Sequence, residues 1–252
     1  MILHVLEAGE GPPVVFLHGL FGNARNFGQF QRALAGRFRV LALDMRNHGA
    51  SPHAPGMRYP DLAADVLETL AARDALPAAV IGHSMGGKAA MAAALAQPDA
   101  ISRLLVADIA PVPYQHGNTA IAEALLRIPL TPALTRGAAD ALLAPVVGDA
   151  GVRQFLLQNL RFGAAPAWRI GLRELAAAIP ELEGWVPLEG SYPGPALFVT
   201  GAQSDYVRPE HRPVIRGLFP RARFVAVKNA GHWLHADNPA AFMAVVEGFL
   251  GG

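Results

Sequence analysis

Apolar positions in this chain follow two alternating patterns. Short runs such as Val14-Val15-Phe16-Leu17 and Ala78-Ala79-Val80-Ile81 are apolar without interruption, as expected of strands covered on both faces. Between such runs, apolar residues recur every three or four positions. Leu62, Val66, Leu67 and Leu70 share one face of a helix predicted from Pro60 to about Arg73, with the proline in its first turn. The full pattern predicts an edge strand over 2–6, a strand over 14–17 and a helix capped by Asn23 or Asn26 and running to about Ala35. A strand over 39–43, the helix from Pro60, a strand over 78–81, a helix to about Gln97 and a strand over 104–107 complete the first half. Strands alternating with helices at this spacing mean an α/β fold, with a mostly parallel central sheet and helices on both faces.

After Asp108-Ile109-Ala110-Pro111 the rhythm breaks. No strand-like run follows until Gly194, and Ala/Leu-rich helical segments fall near 121–127, 138–143, 152–160 and 168–179, separated by Pro and Gly. This reads as a helical cap, residues 113–194, inserted into a core made of 1–112 and 195–252. Strands over 195–200 and 223–227 and a helix over 239–250 resume the pattern.

Composition narrows the function. With 52% hydrophobic and 16% charged residues, the chain has ample apolar surface to bury. A net charge of +1 without any block of like charge argues against nucleic acid or an anionic membrane surface as partner. There is no cysteine, which excludes a disulfide framework, a thiolate nucleophile and Cys-ligated metal, and which fits a cytoplasmic protein. The first residues lack a basic segment followed by an apolar one, and no 18-residue apolar run is free of charge or proline, so neither a signal peptide nor a membrane span is expected. A small-molecule substrate is the expected partner, and the oligomeric state is left open.

The chemistry centres on Gly82-His83-Ser84-Met85-Gly86, a G-x-S-x-G pattern between a predicted strand and a predicted helix. That context makes a nucleophile elbow, a sharp turn that holds a serine hydroxyl clear at the carboxyl end of a sheet. Five serines in a chain with 26 glycines give only about 0.05 chance matches, so coincidence is a poor account. Serine needs a base, and histidine titrates in the right range. The imidazole needs a carboxylate, and in this arrangement the chain order is Ser, Asp or Glu, His. His232, in Asn229-Ala230-Gly231-His232-Trp233 after the last strand, is the candidate base. Two carboxylates keep the order: Asp205 after the strand ending at Thr200, and Asp108 after the strand ending at Ala107. Chain order cannot separate them.

An oxyanion would be held by the N–H of Met85, the residue after the nucleophile, and by the N–H of Leu20 in His18-Gly19-Leu20-Phe21-Gly22. Phe21, Tyr114, Phe155, Phe162, Trp168 and Trp233 are candidate linings of an apolar acyl pocket, although packing explains each one equally well. Four other side chains are expected to brace the structure: His18 the oxyanion loop, His83 the elbow, and Arg46 and His48 the Asp44–Ser51 loop. His235 is expected to cap the last helix or bond nearby backbone, and Lys88 to pair with a carboxylate.

Together Leu17-His18-Gly19-Leu20-Phe21-Gly22, Gly82-His83-Ser84-Met85-Gly86-Gly87-Lys88 and Gly231-His232-Trp233 resemble the α/β-hydrolase family over essentially the whole chain. Asp44-Met45-Arg46-Asn47-His48-Gly49, with Lys88 after the elbow, resembles the branch of bacterial short-chain and acyl-thioester esterases and a mitochondrial abhydrolase, most of which carry Gly where Asn47 stands. The resemblance implies hydrolysis of carboxylic esters or thioesters, without cofactor or metal, and does not identify the acyl group; the reading adopted from the residues is a serine esterase or thioesterase acting on small-to-medium acyl groups through an acyl-enzyme. The resemblance also favours Asp108 as the acid, with Asp205 as the alternative. C–C bond hydrolysis or a lyase reaction on the same triad, and a small-molecule receptor retaining it, are the rival expectations, because this fold hosts many functions.

Overall fold

The computed structural model describes residues 1–115 and 117–251. In chain order its strands are β1 (Val5–Ala8), β2 (Pro13–Leu17), β3 (Arg39–Leu43), β4 (Ala78–His83), β5 (Ile101–Ala107), β6 (Leu160–Arg161), β7 (Ala167–Trp168), β8 (Ala196–Gly201) and β9 (Ala222–Val227). The helices are α1 (Gly28–Leu34), α2 (Tyr59–Ala71), α3 (Met85–Ala96), α4 (Asn118–Leu126), α5 (Arg136–Leu143), α6 (Ala150–Leu157), α7 (Leu172–Glu183), α8 (Arg212–Leu218), α9 (Leu234–Asp237) and α10 (Pro239–Gly251).

Seven strands form one sheet in the order β1-β3-β2-β4-β5-β8-β9. Only β1 runs antiparallel, beside β3; every other pair is parallel. The pleat sends alternate side chains to opposite faces, and each face has its own core. Val15, Leu17, Val80, Leu104, Val106 and Phe198 pack towards α2, α3 and the inserted helices. Val14, Phe16, Ile81, Leu105, Leu197 and Val199 pack with Phe30 and Leu34 of α1 and Phe242 and Val246 of α10. The unbroken apolar runs therefore arise because both faces of the central strands are covered; β4, at the centre, is buried at all six positions.

Helix α3 carries Ala and Gly at most positions and is buried from Met85 to Leu95. Short side chains let the sheet and α2 approach it from different sides at once. Its one charged residue, Lys88, is buried with it.

Three local expectations change. The first strand starts at Val5, because the residues before it are tied elsewhere: the Met1 ammonium to Asp65 and Glu68, and the Leu3 N–H to Thr69. Asn23 does cap, but what it caps is a 3₁₀ turn, Ala24–Phe27, that leads into α1. The segment between β5 and β8 is not purely helical, since β6 and β7 pair antiparallel, Leu160 opposite Trp168. Trp168 thus belongs to a hairpin, and the helix read over 168–179 lies at α7. Among the described residues no helix is long and apolar enough to cross a membrane.

Candidate active site

Ser84 sits between β4 and α3 with φ +52° and ψ −118°, a left-handed conformation that costs a serine about 1–3 kcal/mol. The flanking glycines make the turn possible. A Cβ on Gly82 would lie 2.3 Å from the Gly86 carbonyl oxygen, and one on Gly86 would lie 2.4 Å from that of Leu17. The strain is held by backbone bonds: Ser84 N–H donates to Ala107 O and Lys88 N–H to Ser84 O, both at 3.0 Å.

His232 hangs from the loop between β9 and α9. Its carbonyl accepts from His83 Nε2–H at 2.8 Å. Its Nδ1 lies 2.9 Å from Asp108 Oδ2 and its Nε2 3.1 Å from Ser84 Oγ. A carboxylate only accepts, so Nδ1 carries the proton and Nε2 is left to accept from the serine hydroxyl. Asp108 follows β5 with φ +53° and is fully buried. Burying a charge demands partners, and it has them: Gly201 N–H donates to Oδ1 at 3.0 Å, and Ser204 Oγ–H donates to Oδ2 at 2.5 Å. Asp205 is exposed, and the hydrogen bond to His232 is made by Asp108.

The loop after β2 presents backbone amides to the same place. Phe21 N–H is taken by His48 Nε2 at 3.1 Å and Gly22 N–H by Gly19 O at 2.9 Å. The N–H groups of Leu20 and of Met85, the first residue of α3, have no acceptor among the described residues. Burial keeps His18 and His48 neutral by pushing their basicity down, as their bonding requires. His18 Nδ1–H donates to Gly19 O while Nε2 accepts from Met45 N–H, and His48 Nδ1–H donates to Arg46 O. Arg46 itself makes a two-toothed contact with Asp65 and reaches Gly56 O.

Ser84 and His232 open into a cavity of about 190 Å³. The core contributes Leu20, Phe21, Phe27 and Trp233, and the inserted helices contribute Ile121, Val152, Phe155, Leu156 and Leu182. One wall is polar. Lys88 Nζ donates to the Glu183 and Gly184 carbonyls at 3.3 and 2.6 Å, at the end of α7, and lies over the rings of Tyr59 and Tyr114. Desolvation lowers its pKa to about 7. No group of His, Asp and Glu side chains among the described residues is arranged to hold a metal ion.

The sequence matches the α/β-hydrolase family over residues 14–245. The chain belongs to that family. It is 43% identical to the sn-1-specific diacylglycerol lipase ABHD11 of Mus musculus over 95% of this chain and 81% of the relative. It is 38% identical to esterase YbfF of Escherichia coli over 94% of this chain and 92% of the relative. A solved marine microorganism esterase superposes with a TM-score of 0.94 at 34% identity, covering 98% of this chain and 99% of the other. Family and relatives together support ester hydrolysis by an α/β hydrolase.

Within this α/β hydrolase, Phe21, Tyr114, Phe155 and Trp233 line the cavity, whereas Phe162 and Trp168 lie outside its lining. Phe162 instead carries the Arg136 guanidinium over its ring at 5.0 Å, and Trp168 is held in the β6–β7 hairpin. Lys88 bonds the carbonyls at the end of a helix rather than a carboxylate; the Glu183 carboxylate is occupied by Asn118. His235 caps nothing: its ring packs on Phe27 and His83, its Nδ1 has no partner among the described residues, and burial lowers its pKa to about 4. Asn47 has φ +64°, and its side chain bonds both polar groups of the Ala54 backbone. Asn tolerates that conformation better than other side chains.

Sequence reasoning passed over Ser204 and Tyr206. Tyr206 stacks on His232 with ring centroids 3.7 Å apart and planes 16° from parallel. The one signal for either residue is position: they flank Asp205, the alternative acid.

Proposed function

We propose that this protein is a serine ester hydrolase in which Ser84 is the nucleophile, His232 the base and Asp108 the acid, acting on esters or thioesters of small-to-medium acyl groups. The observation that carries the reading is the imidazole of His232 bridging Ser84 Oγ and a fully buried carboxylate at the wall of an apolar cavity.

In the first step Ser84 Oγ attacks the acyl carbon as His232 Nε2 takes its proton. Asp108 holds the imidazole in the required tautomer and balances the imidazolium that forms. Charge moves onto the former carbonyl oxygen, where the N–H groups of Leu20 and Met85 receive it; such fixed donors are worth about 3–4 kcal/mol each in the transition state. Collapse of the tetrahedral intermediate expels the alcohol or thiol, which leaves with the proton from His232. Water, deprotonated by the same imidazole, then attacks the acyl-enzyme and frees Ser84.

A cavity of about 190 Å³ with a largely apolar lining favours a small-to-medium acyl group over a bulky polar one. A cytoplasmic setting is part of the proposal, because a chain without cysteine needs no oxidising compartment.

The test is covalent. Intact-mass analysis after treatment with a fluorophosphonate is expected to give a single adduct, mapped to the peptide containing Ser84 and absent from Ser84→Ala. Labelling that persists in Ser84→Ala would overturn the assignment.

A further inference from the structure

Between α6 and β6 the inserted segment carries a polar side chain that the reaction steps above leave unused. Asn159 is 2% exposed. Its side-chain Nδ2–H donates to Phe21 O at 2.7 Å and, more loosely, to Leu156 O at 3.3 Å. Its backbone is fixed independently of that amide: Asn159 N–H donates to Leu156 O at 3.2 Å, and Asn159 O accepts from Arg169 N–H at 2.7 Å, next to the β6–β7 hairpin. Asn159 lies outside the lining of the cavity. What its side chain bears on is therefore the loop after β2, and not the acyl group.

That loop needs holding. Phe21 is buried and has φ +61°, a conformation that a bulky side chain seldom adopts and that persists only where the surroundings over-determine it. Three of the bonds that do so come from the core. Phe21 N–H is taken by His48 Nε2, Gly22 N–H by Gly19 O, and the same Gly19 O accepts from His18 Nδ1–H. The Phe21 carbonyl is answered from the inserted segment, by Asn159. Removing that amide takes the donor from a carbonyl in a buried residue, which is costly. Rotation of the peptide between Phe21 and Gly22 would then relieve both the carbonyl and the backbone of Phe21, and would turn the loop that aims the Leu20 N–H.

We infer that Asn159 is a positioning residue for the oxyanion hole, so that the inserted segment sets the aim of the Leu20 amide as well as the volume of the cavity. The inference rests on the nucleophile and oxyanion donors proposed above. The Leu20 N–H meets a full negative charge only once the tetrahedral species forms, so a loss of aim lowers kcat and leaves ground-state binding as it was. A shift of about 1 Å in such a group is enough to cost about 10²-fold in rate.

The experiment uses the full chain and its Asn159→Leu, Asn159→Ala and Ser84→Ala variants, each checked by circular dichroism. Leucine keeps nearly the volume of asparagine and has no donor. Four quantities are measured: kcat for p-nitrophenyl butyrate per serine titrated with a fluorophosphonate, KM for the same ester, the preference among p-nitrophenyl esters of graded chain length, and Ki for 1,1,1-trifluoro-2-hexanone, whose hemiketal oxygen on Ser84 takes the place of the oxyanion. Asn159→Leu is expected to lower kcat about ten- to a hundredfold and to raise Ki by a similar factor, with KM changed less than about twofold and the chain-length profile kept. A contact that merely docks the inserted helices would leave kcat per titrated serine and Ki as they were, or would move KM and the profile instead. Either result, with Ser84→Ala inactive, would overturn this inference alone. Should Asn159→Leu not fold, Asn159→Ala is read in its place. A Ser84→Ala variant with full activity would overturn the serine-hydrolase reading and this inference with it.

Discussion

The two halves of the cavity are built on different physical terms. On the core side, position is set by directional bonds and by backbone conformations that few residues tolerate. Ser84 and Asp108 both have φ near +50°, Asp108 accepts three hydrogen bonds, and His18 and His48 fix the loop that carries Leu20. On the side of the inserted helices, Ile121, Val152, Phe155, Leu156 and Leu182 meet the cavity through apolar contact, and directional bonds at that wall, from Asn118 and Lys88 to Glu183, lie at the end of α7. Directional bonds fix atoms to within tenths of an ångström, which bond-making demands. Apolar packing sets a volume and tolerates change of shape. Substitutions on the core side should therefore alter how fast the reaction goes, and those on the helical side which acyl group it prefers.

The largest effect expected is on the core side, and it compares two strand ends. Asp108→Asn keeps the shape but leaves the imidazole in the wrong tautomer, so kcat should fall by about 10⁴. Asp205→Asn alters an exposed side chain and should change kcat less than about threefold. Steady-state kinetics on both variants, with folding checked by circular dichroism, makes the comparison. A collapse of activity in Asp205→Asn with Asp108→Asn intact would break it.

On the helical side the expected change is smaller and of another kind. Phe155→Ala removes a ring from the lining next to Trp233, 6.3 Å away between centroids. A methylene in such a pocket is worth about 1–3 kcal/mol, so the preferred chain length should move up by one or two carbons, with selectivity between neighbouring p-nitrophenyl esters altered about tenfold. Phe162→Ala removes an aromatic outside the lining and should leave the chain-length profile as it was. An unchanged profile in Phe155→Ala would mean that the inserted helices do not select the acyl group.

The same division governs what could be read from the residues. The elbow was legible because its requirements are local: Gly82, Ser84 and Gly86 meet one another within a single turn. The sheet was legible because strands covered on both faces must be apolar throughout. The choice between Asp108 and Asp205 was not legible from the residues alone. The bonds that bear on it join Asp108 to Gly201 and His232, 93 and 124 positions along the chain, and chain order is the same for both candidates. The β6–β7 hairpin escaped because strands of two residues have no period to detect. Phe162 and Trp168 show the limit of composition: aromatic content marked the inserted segment as apolar without saying which rings face inward. Lys88 teaches the same lesson for charge. A carboxylate was the natural partner, but the end of a helix supplies carbonyls with the same sign of partial charge.

Lys88 also supplies the prediction with the least effect on rate, because its ammonium bonds α7 rather than the reacting atoms. Burial lowers its pKa from 10.5 to about 7. Below about pH 7 the side chain is charged in the folded and the unfolded chain alike, and folding carries the full cost of burying that charge. Between about 7 and 10.5 the unfolded chain keeps the proton and the folded one has lost it, so raising the pH favours the fold. Above 10.5 the cost is gone. Stability relative to Lys88→Met, which has no proton to lose, should therefore increase with pH, by roughly 2–3 kcal/mol from pH 6 to pH 9. The variant itself leaves the Glu183 and Gly184 carbonyls without their donor, a loss that offsets part of what it gains by burying no charge. That offset is the same at every pH at which the lysine is charged, so the slope, not the absolute difference, carries the test. Urea unfolding of both proteins at several pH values gives that slope directly. Parallel curves for the two proteins would mean that Lys88 keeps its ordinary affinity for the proton, and that the wall it forms towards the helical side is as well solvated as the surface.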